Sequence, residues 1–131
     1  MGWVMRRKDR AMTRKESERF LKQALVGRLG TSWRNQPYVV PLNFVYDRGK
    51  VYLHCSKQGK KLAYLIRNPK VGFEADQLIR IKRSRNPCAF STYYRSVIAS
   101  GEARVIKALR VKAEILKKFV RKYDKSNRKP S

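Results

Sequence analysis

The sequence predicts a mainly β protein: a small antiparallel barrel, closed or half open, with single helices across its openings. Three observations carry that reading. Residues 38–46 and the stretch that opens at Val51 are rich in β-branched and aromatic residues. The Asp47-Arg48-Gly49-Lys50 between them is hairpin chemistry, with Gly49 able to take the positive φ that such a turn requires. Further short runs alternate between apolar and polar residues, and helical segments interrupt them singly.

In chain order, residues 1–12 form a basic arm carrying Arg6, Arg7, Lys8 and Arg10 without periodicity. Thr13-Arg14-Lys15-Glu16 has capping-box form, in which the Thr hydroxyl accepts from the amide three residues on and Glu16 reaches back. A helix starts there, with Phe20, Leu21, Ala24 and Leu25 as its apolar stripe and Glu16, Glu18, Arg19 and Lys22 on the wet side. Residues 26–31 read as a first strand whose glycines suggest a bulge or a close approach by another element, and residues 33–37 are the turn that returns the chain. After the central hairpin, Ser56-Lys57-Gln58-Gly59-Lys60-Lys61 is a small, basic, glycine-containing loop opening a helix, which is the chemistry of an anion site. That helix, about 60–67, should bury Leu62, Leu65 and Ile66 and stop at Asn68, because Pro69 disfavours an α conformation in the residue before it.

Val71, Phe73 and Ala75 alternate with Gly72, Glu74 and Asp76 and predict another half-buried strand. Residues 77–87 show no clean period and hold Arg80, Lys82, Arg83 and Arg85, which reads as an exposed loop. Residues 88–92 and 93–106 read as two further strands, continuous through a bend. The second is apolar on both sides, as expected of a strand buried in a barrel or an interface. The last element is a helix with Ile115, Leu116, Phe119, Val120 and Tyr123 on one face, ending at about Tyr123 before a polar tail over 124–131.

At 131 residues the whole chain, 1–131, is the size of one domain. Its 42% hydrophobic content argues against intrinsic disorder, although 32% charged residues exceeds the usual figure of about 25%. Lys and Arg number 33 against 9 Asp and Glu, a formal net charge of +24 that attracts nucleic acid or anionic lipid non-specifically at low salt. No stretch approaches the roughly 18 apolar residues of a membrane span, and no secretory leader is evident, so a cytoplasmic protein is expected. Cys55 and Cys88 fit no metal spacing and are expected as free thiols.

Five local matches, in order along residues 5–106, carry a family resemblance. They are Met5-Arg6-Arg7-Lys8-Asp9-Arg10, Val26-Gly27-Arg28-Leu29-Gly30, the run from Gln36 through Pro41 to Phe44, the loop from His54 to Lys61, and Tyr94-Arg95-Ser96-Val97-Ile98 followed by Gly101. The chain is similar to the pyridoxamine-phosphate-oxidase-like flavoproteins, and within them to the branch of nitroimidazole-resistance proteins. The resemblance implies an FMN-binding split barrel, antiparallel, six-stranded and of Greek-key type, and a homodimer with FMN at its interface. Carried over by position, Pro41, Leu42, Asn43 and Phe44 would lie along the isoalloxazine ring. His54, Cys55 and Ser56 would flank the ring and ribityl chain, with Lys60 and Lys61 on the phosphate. Tyr94, Arg95 and Ser96 would reach the flavin from a neighbouring strand or the partner subunit, the arginine favouring the anionic reduced ring. Two features depart from the family: the last helix ends early and the chain is far more basic.

Read residue by residue, Lys57, Lys60 and Lys61 also fit a solvated basic face, and Pro41 an ordinary edge strand. His54, the single histidine, is placed to contact substrate, donate a proton, ligate haem or fill a structural role. Two classes of function follow. In the first, FMN takes electrons from NAD(P)H and hands them to a small oxidised acceptor, with no catalytic triad and no metal required. In the second, a basic barrel binds nucleic acid without turnover, Trp3, Trp33, Tyr38 and Tyr93 stacking on bases. A haem or flavin carrier is a third reading.

Overall fold

A computed structural model describes residues 11–54 and 59–127, with side chains as far as Asp124. The basic arm over 1–10, the loop residues Cys55, Ser56, Lys57 and Gln58, and the tail over 128–131 lie outside the described residues.

Helix α1 (Arg14–Gln23) opens on the predicted capping box: the Glu16 amide donates to Thr13 Oγ1 at 3.2 Å and the Thr13 amide to Glu16 Oε1 at 3.1 Å. Then come β1 (Gly27–Trp33), β2 (Gln36–Leu42), β3 (Phe44–Asp47), β4 (Lys50–Leu53), α2 (Lys60–Arg67), β5 (Lys70–Lys82), a single 3-10 turn (Pro87–Ala89), β6 (Ser91–Glu102) and α3 (Leu109–Asn127). All pairings are antiparallel, in a four-stranded sheet of order β2-β1-β5-β6 and a two-stranded sheet of β3 and β4. Both hairpins turn through two residues of positive φ, Arg34 (51°) with Asn35 (61°) and Arg48 (50°) with Gly49 (82°). This is the turn whose twist matches that of paired strands. Among the described residues six strands are present, and they do not close into a barrel.

The core lies where α1 crosses the sheets: Phe20 and Leu21 pack with Phe44, Phe73 and Ala75, of which Phe44 and Ala75 are 0% exposed. Phe44 and Phe73 meet edge to face at 4.9 Å between ring centroids. Gly27 is required here, since a Cβ would run into the Phe73 ring; this is the close approach expected of the first strand's glycines. Among the described residues no helix is long and apolar enough to cross a membrane.

Several expectations are corrected. Residues 38–46 are not one strand: Leu42 pairs with Gly27 in the large sheet and Phe44 with Leu53 in the small one, the chain changing partners at Asn43. The Asn43 side chain anchors that switch by donating to the Leu25 carbonyl at 3.2 Å. The run expected as a loop after Asp76 continues as strand to Lys82, because β6 pairs with it as far as Ser91, through a register shift between Leu78 and Arg80. Residues 88–92 contribute the end of the 3-10 turn and the start of β6, and β6 stops at Glu102 rather than at 106. Helix α3 runs on to Asn127, into the segment expected as tail. The predicted apolar stripes are covered unevenly: Ile66 of α2 is 68% exposed, and of the α3 set Ile115, Phe119 and Tyr123 are half-buried while Leu116 and Val120 are exposed.

Candidate functional site

Strand β2 is an edge of the large sheet, hydrogen-bonded on one side to β1. Pro41, opposite Arg28, thus sits where its missing N–H costs no ladder bond. The residues expected along a flavin ring alternate here. Pro41 and Asn43 are exposed, Leu42 packs against the core and Phe44 is buried in it. The Phe44 main chain is engaged from α3: its amide donates to Tyr123 Oη at 2.9 Å, and its carbonyl accepts from Lys122 Nζ at 2.8 Å. The Tyr123 hydroxyl also lies 2.8 Å from the Leu25 carbonyl. Burial lowers the Lys122 pKa to about 8. One turn back on α3, Lys118 pairs with Asp47 and holds that carboxyl below its ordinary range. This docking of α3 on the strand switch was not visible in the sequence; an inward-facing lysine and tyrosine, adjacent on an otherwise apolar face, are the trace it leaves there.

His54 follows β4, is exposed, and meets Phe119 of α3 edge on at 5.9 Å. The expected anion loop ends at Gly59, φ 129°, the N-cap of α2. Among the described residues no side chain caps that helix, and its first turn holds no acidic residue, so the leading amides and the Lys60 and Lys61 side chains offer donors there. That donor set fits a dianionic phosphate.

Tyr94, Arg95 and Ser96 lie on β6, the opposite edge of the large sheet from β2, with β1 and β5 between. The structure therefore does not gather all the expected site residues on one edge. Tyr94 and Ser96 line a cavity of about 350 Å³ with Glu74, Asp76, Gln77 and Leu78. Arg28 bridges its two carboxylates, at 2.9 Å from Glu74 and 3.4 Å from Asp76. The Glu74 carboxyl is still pushed above its ordinary value, by burial first and by Asp76 second. Arg95 pairs in register with Gln77.

A third group of residues comes from what the sequence predicts as the 33–37 turn, the following strand and the 60–67 helix. Lys60, Tyr64 and Arg67 fall four and three residues apart, on one side of α2, and lie along the β1–β2 hairpin, Arg67 at Trp33 near its tip and Lys60 at Tyr38 further in. Arg34 and Arg67 both place their guanidinium carbons over the Trp33 indole, 4.3 and 4.5 Å from the ring centroid. Lys60 lies over Tyr38 at 5.2 Å and Tyr64 at 5.5 Å. The helical spacing of basic and aromatic residues was the available signal. Among the described residues no cluster of His, Cys, Asp and Glu is placed to hold a metal ion, and Cys88 is a free, exposed thiol.

The model of the pyridoxamine 5'-phosphate oxidase family matches residues 13–131. Among solved structures, the chain is similar to the flavocytochrome from Azotobacter vinelandii, with 25% identity and a TM-score of 0.78 over 98% of this chain and 61% of that one. It therefore spans about three fifths of the flavocytochrome. It is also similar to a putative 5-nitroimidazole antibiotic resistance protein from Bacteroides thetaiotaomicron, with 27% identity and a TM-score of 0.74 over 92% and 72% of the two chains. The FAD binding protein from Mycobacterium smegmatis gives 26% identity and a TM-score of 0.64 over 81% and 78%. No curated protein is significantly similar in sequence.

Proposed function

This chain belongs to the pyridoxamine 5'-phosphate oxidase family, and from that premise we propose that it is an FMN-dependent oxidoreductase, active as a homodimer, that passes electrons from NAD(P)H to a small oxidised acceptor. The carrying observation is the uncapped, acid-free first turn of α2 with Lys60 and Lys61 on it, a donor set suited to the flavin phosphate. The open edge of β2 at Pro41 leaves main-chain groups for the polar rim of the ring, with Asn43 beside it. Bound flavin would supply two-electron transfer between nicotinamide and acceptor. The protein's part is to hold phosphate and ring, exclude water and set local charge.

The homodimer accounts for two features. Tyr94, Arg95 and Ser96 lie on the far edge of the sheet from Pro41, so a partner copy is the natural way to bring that segment to the same flavin. The outer parts of β5 and β6 also expose Leu78, Ile81 and Tyr94, which share one face by register, an apolar ribbon suited to burial against a second copy. Against strand-like nucleic-acid binding, the rings of Tyr38 and Tyr93 are already covered by Lys60 and Arg80. A haem site at exposed His54 is the second reading, favoured by the likeness to a flavocytochrome.

The test is an absorbance spectrum of the purified protein before and after loading with FMN, with the double variant K60A/K61A beside it. The wild type should retain FMN. The variant should bind it at least about tenfold more weakly, because a charge-assisted bond to phosphate is worth roughly 1.5–3 kcal/mol. Equal FMN affinity in both proteins would remove Lys60 and Lys61 from the site, and a Soret band without flavin would put the haem reading first.

A further inference from the structure

Where the tip of the β1–β2 hairpin meets the last turn of α2 lies a cleft of about 570 Å³, lined by Trp33, Arg34, Asn35, Arg67 and Asn68 together with Ser32 and Pro37. We propose that this cleft binds a nucleoside phosphate, with Arg34 and Arg67 taking the phosphate and the layer of guanidinium and indole taking the base. Its volume lies within the range of small-molecule sites, about 300–1,000 Å³.

Three observations lead there. First, two cations share one ring: Arg34 and Arg67 sit 4.3 and 4.5 Å from the Trp33 centroid, and neither makes an ion pair among the described residues. The indole face offsets part of their mutual repulsion, and a dianion would offset the rest. Held over the ring, each guanidinium is pre-positioned and keeps N–H groups for a charge-assisted grip on phosphate. Second, the walls are fixed. The Asn68 side chain ties the end of α2 to β1 by donating to the Ser32 carbonyl at 2.8 Å, and the hairpin tip is a tight turn through Arg34 and Asn35. Asn35, exposed at the hairpin tip, lines the same cleft and puts a side-chain amide where it can meet a base edge. Third, the aromatic layer continues inward: Trp33 meets Tyr64 at 6.3 Å, and Tyr64 meets Tyr38 at 6.0 Å under Lys60.

One cleft with one clamp suits a single nucleotide rather than a strand, which needs successive open rings along a groove. The nucleotide has two possible sources: a free mononucleotide, or the adenosine-phosphate half of a dinucleotide reaching along α2. The experiment separates them. Full-length protein is titrated by calorimetry with AMP, NADPH, inorganic phosphate and a (dT)12 strand, beside R34G/R67A and R67Q. Glycine suits the positive φ at residue 34, and both arginines are exposed, so the variants should fold. FMN retention and circular dichroism report that directly and keep this inference separate from the flavin site. The expected result is saturable AMP binding, competed by phosphate and weakened at least tenfold in R34G/R67A and severalfold in R67Q, with FMN binding unchanged. NADPH binding tenfold tighter than AMP assigns the cleft to a dinucleotide, and equal affinities assign it to a mononucleotide. The proposal is overturned by the absence of saturable binding of either nucleotide, by affinities unchanged in R34G/R67A, or by (dT)12 binding tighter than AMP and being lost in the same variant.

Discussion

From Lys70 to Asp76, β5 sends Phe73 and Ala75 into the core and leaves Val71 half-buried, under α1 and the β3–β4 hairpin. From Gln77 to Lys82 the same strand keeps its extended backbone and its ladder to β6, yet Leu78 is 60% exposed, and Ile79 and Ile81 are exposed beside it. The comparison separates two things that strand prediction merges. Pairing makes a strand, and a second layer makes a core. Helix α1 and the small sheet supply that layer to the inner half, and among the described residues nothing supplies it to the outer half. The proposed homodimer would do so, carrying the apolar ribbon from half-wet to buried.

The largest effect is expected in the inner half. Phe73→Ala removes a buried ring packed on Phe44 and should cost about 3–5 kcal/mol, read as a fall in the urea midpoint. A loss under about 1 kcal/mol would mean that this core is not what holds the two sheets together. A smaller effect is expected at the strand switch, where α3 docks through polar bonds rather than apolar burial. Burial lowers the Lys122 pKa to about 8, against about 10.4 for a free lysine, so the folded state disfavours its charged form. Between those values the unfolded chain binds more protons, and stability should rise with pH across that window. The cost is present in full below about pH 8 and gone above the unfolded value. Tyr46, whose pKa is raised by burial first and by Glu18 second, acts in the opposite sense at the upper end of the window. The difference between wild type and Lys122→Met in thermal melts from pH 7.5 to 10 therefore isolates the lysine. A pH profile identical in the variant would refute its role.

The smallest effect on monomer stability is expected from the outer half. Leu78→Lys with Ile81→Lys on the exposed ribbon should change it by no more than about 0.5 kcal/mol each. The same pair should turn a dimer into a monomer in analytical ultracentrifugation at micromolar concentration. A wild type that already sediments as a monomer, or a variant that remains dimeric, would leave the ribbon without the partner proposed for it.

Much of the fold was legible because its signals are local. The Thr13–Glu16 box, the Arg48-Gly49 turn, the stop at Asn68 and the alternation of Val71, Phe73 and Ala75 each depend on residues within four positions, and each stands in the structure as read. The site was legible in part. The basic start of α2 and the edge position of Pro41 follow from the sequence pattern, whereas the fate of Phe44 does not, because its amide and carbonyl are met by Lys122 and Tyr123 from almost eighty positions away.

By itself, then, the sequence determined the elements bounded by caps, turns and short-range periodicity, the strongly basic surface and the family. The tertiary structure alone decided that β2 and β3 separate at Asn43, that residues 77–82 are strand, that α3 clamps the switch, and that Arg34 and Arg67 meet on Trp33. The physical reason is the same in each case. These outcomes rest on contacts between residues distant along the chain, and their free energy exists only once the whole chain has brought the partners together.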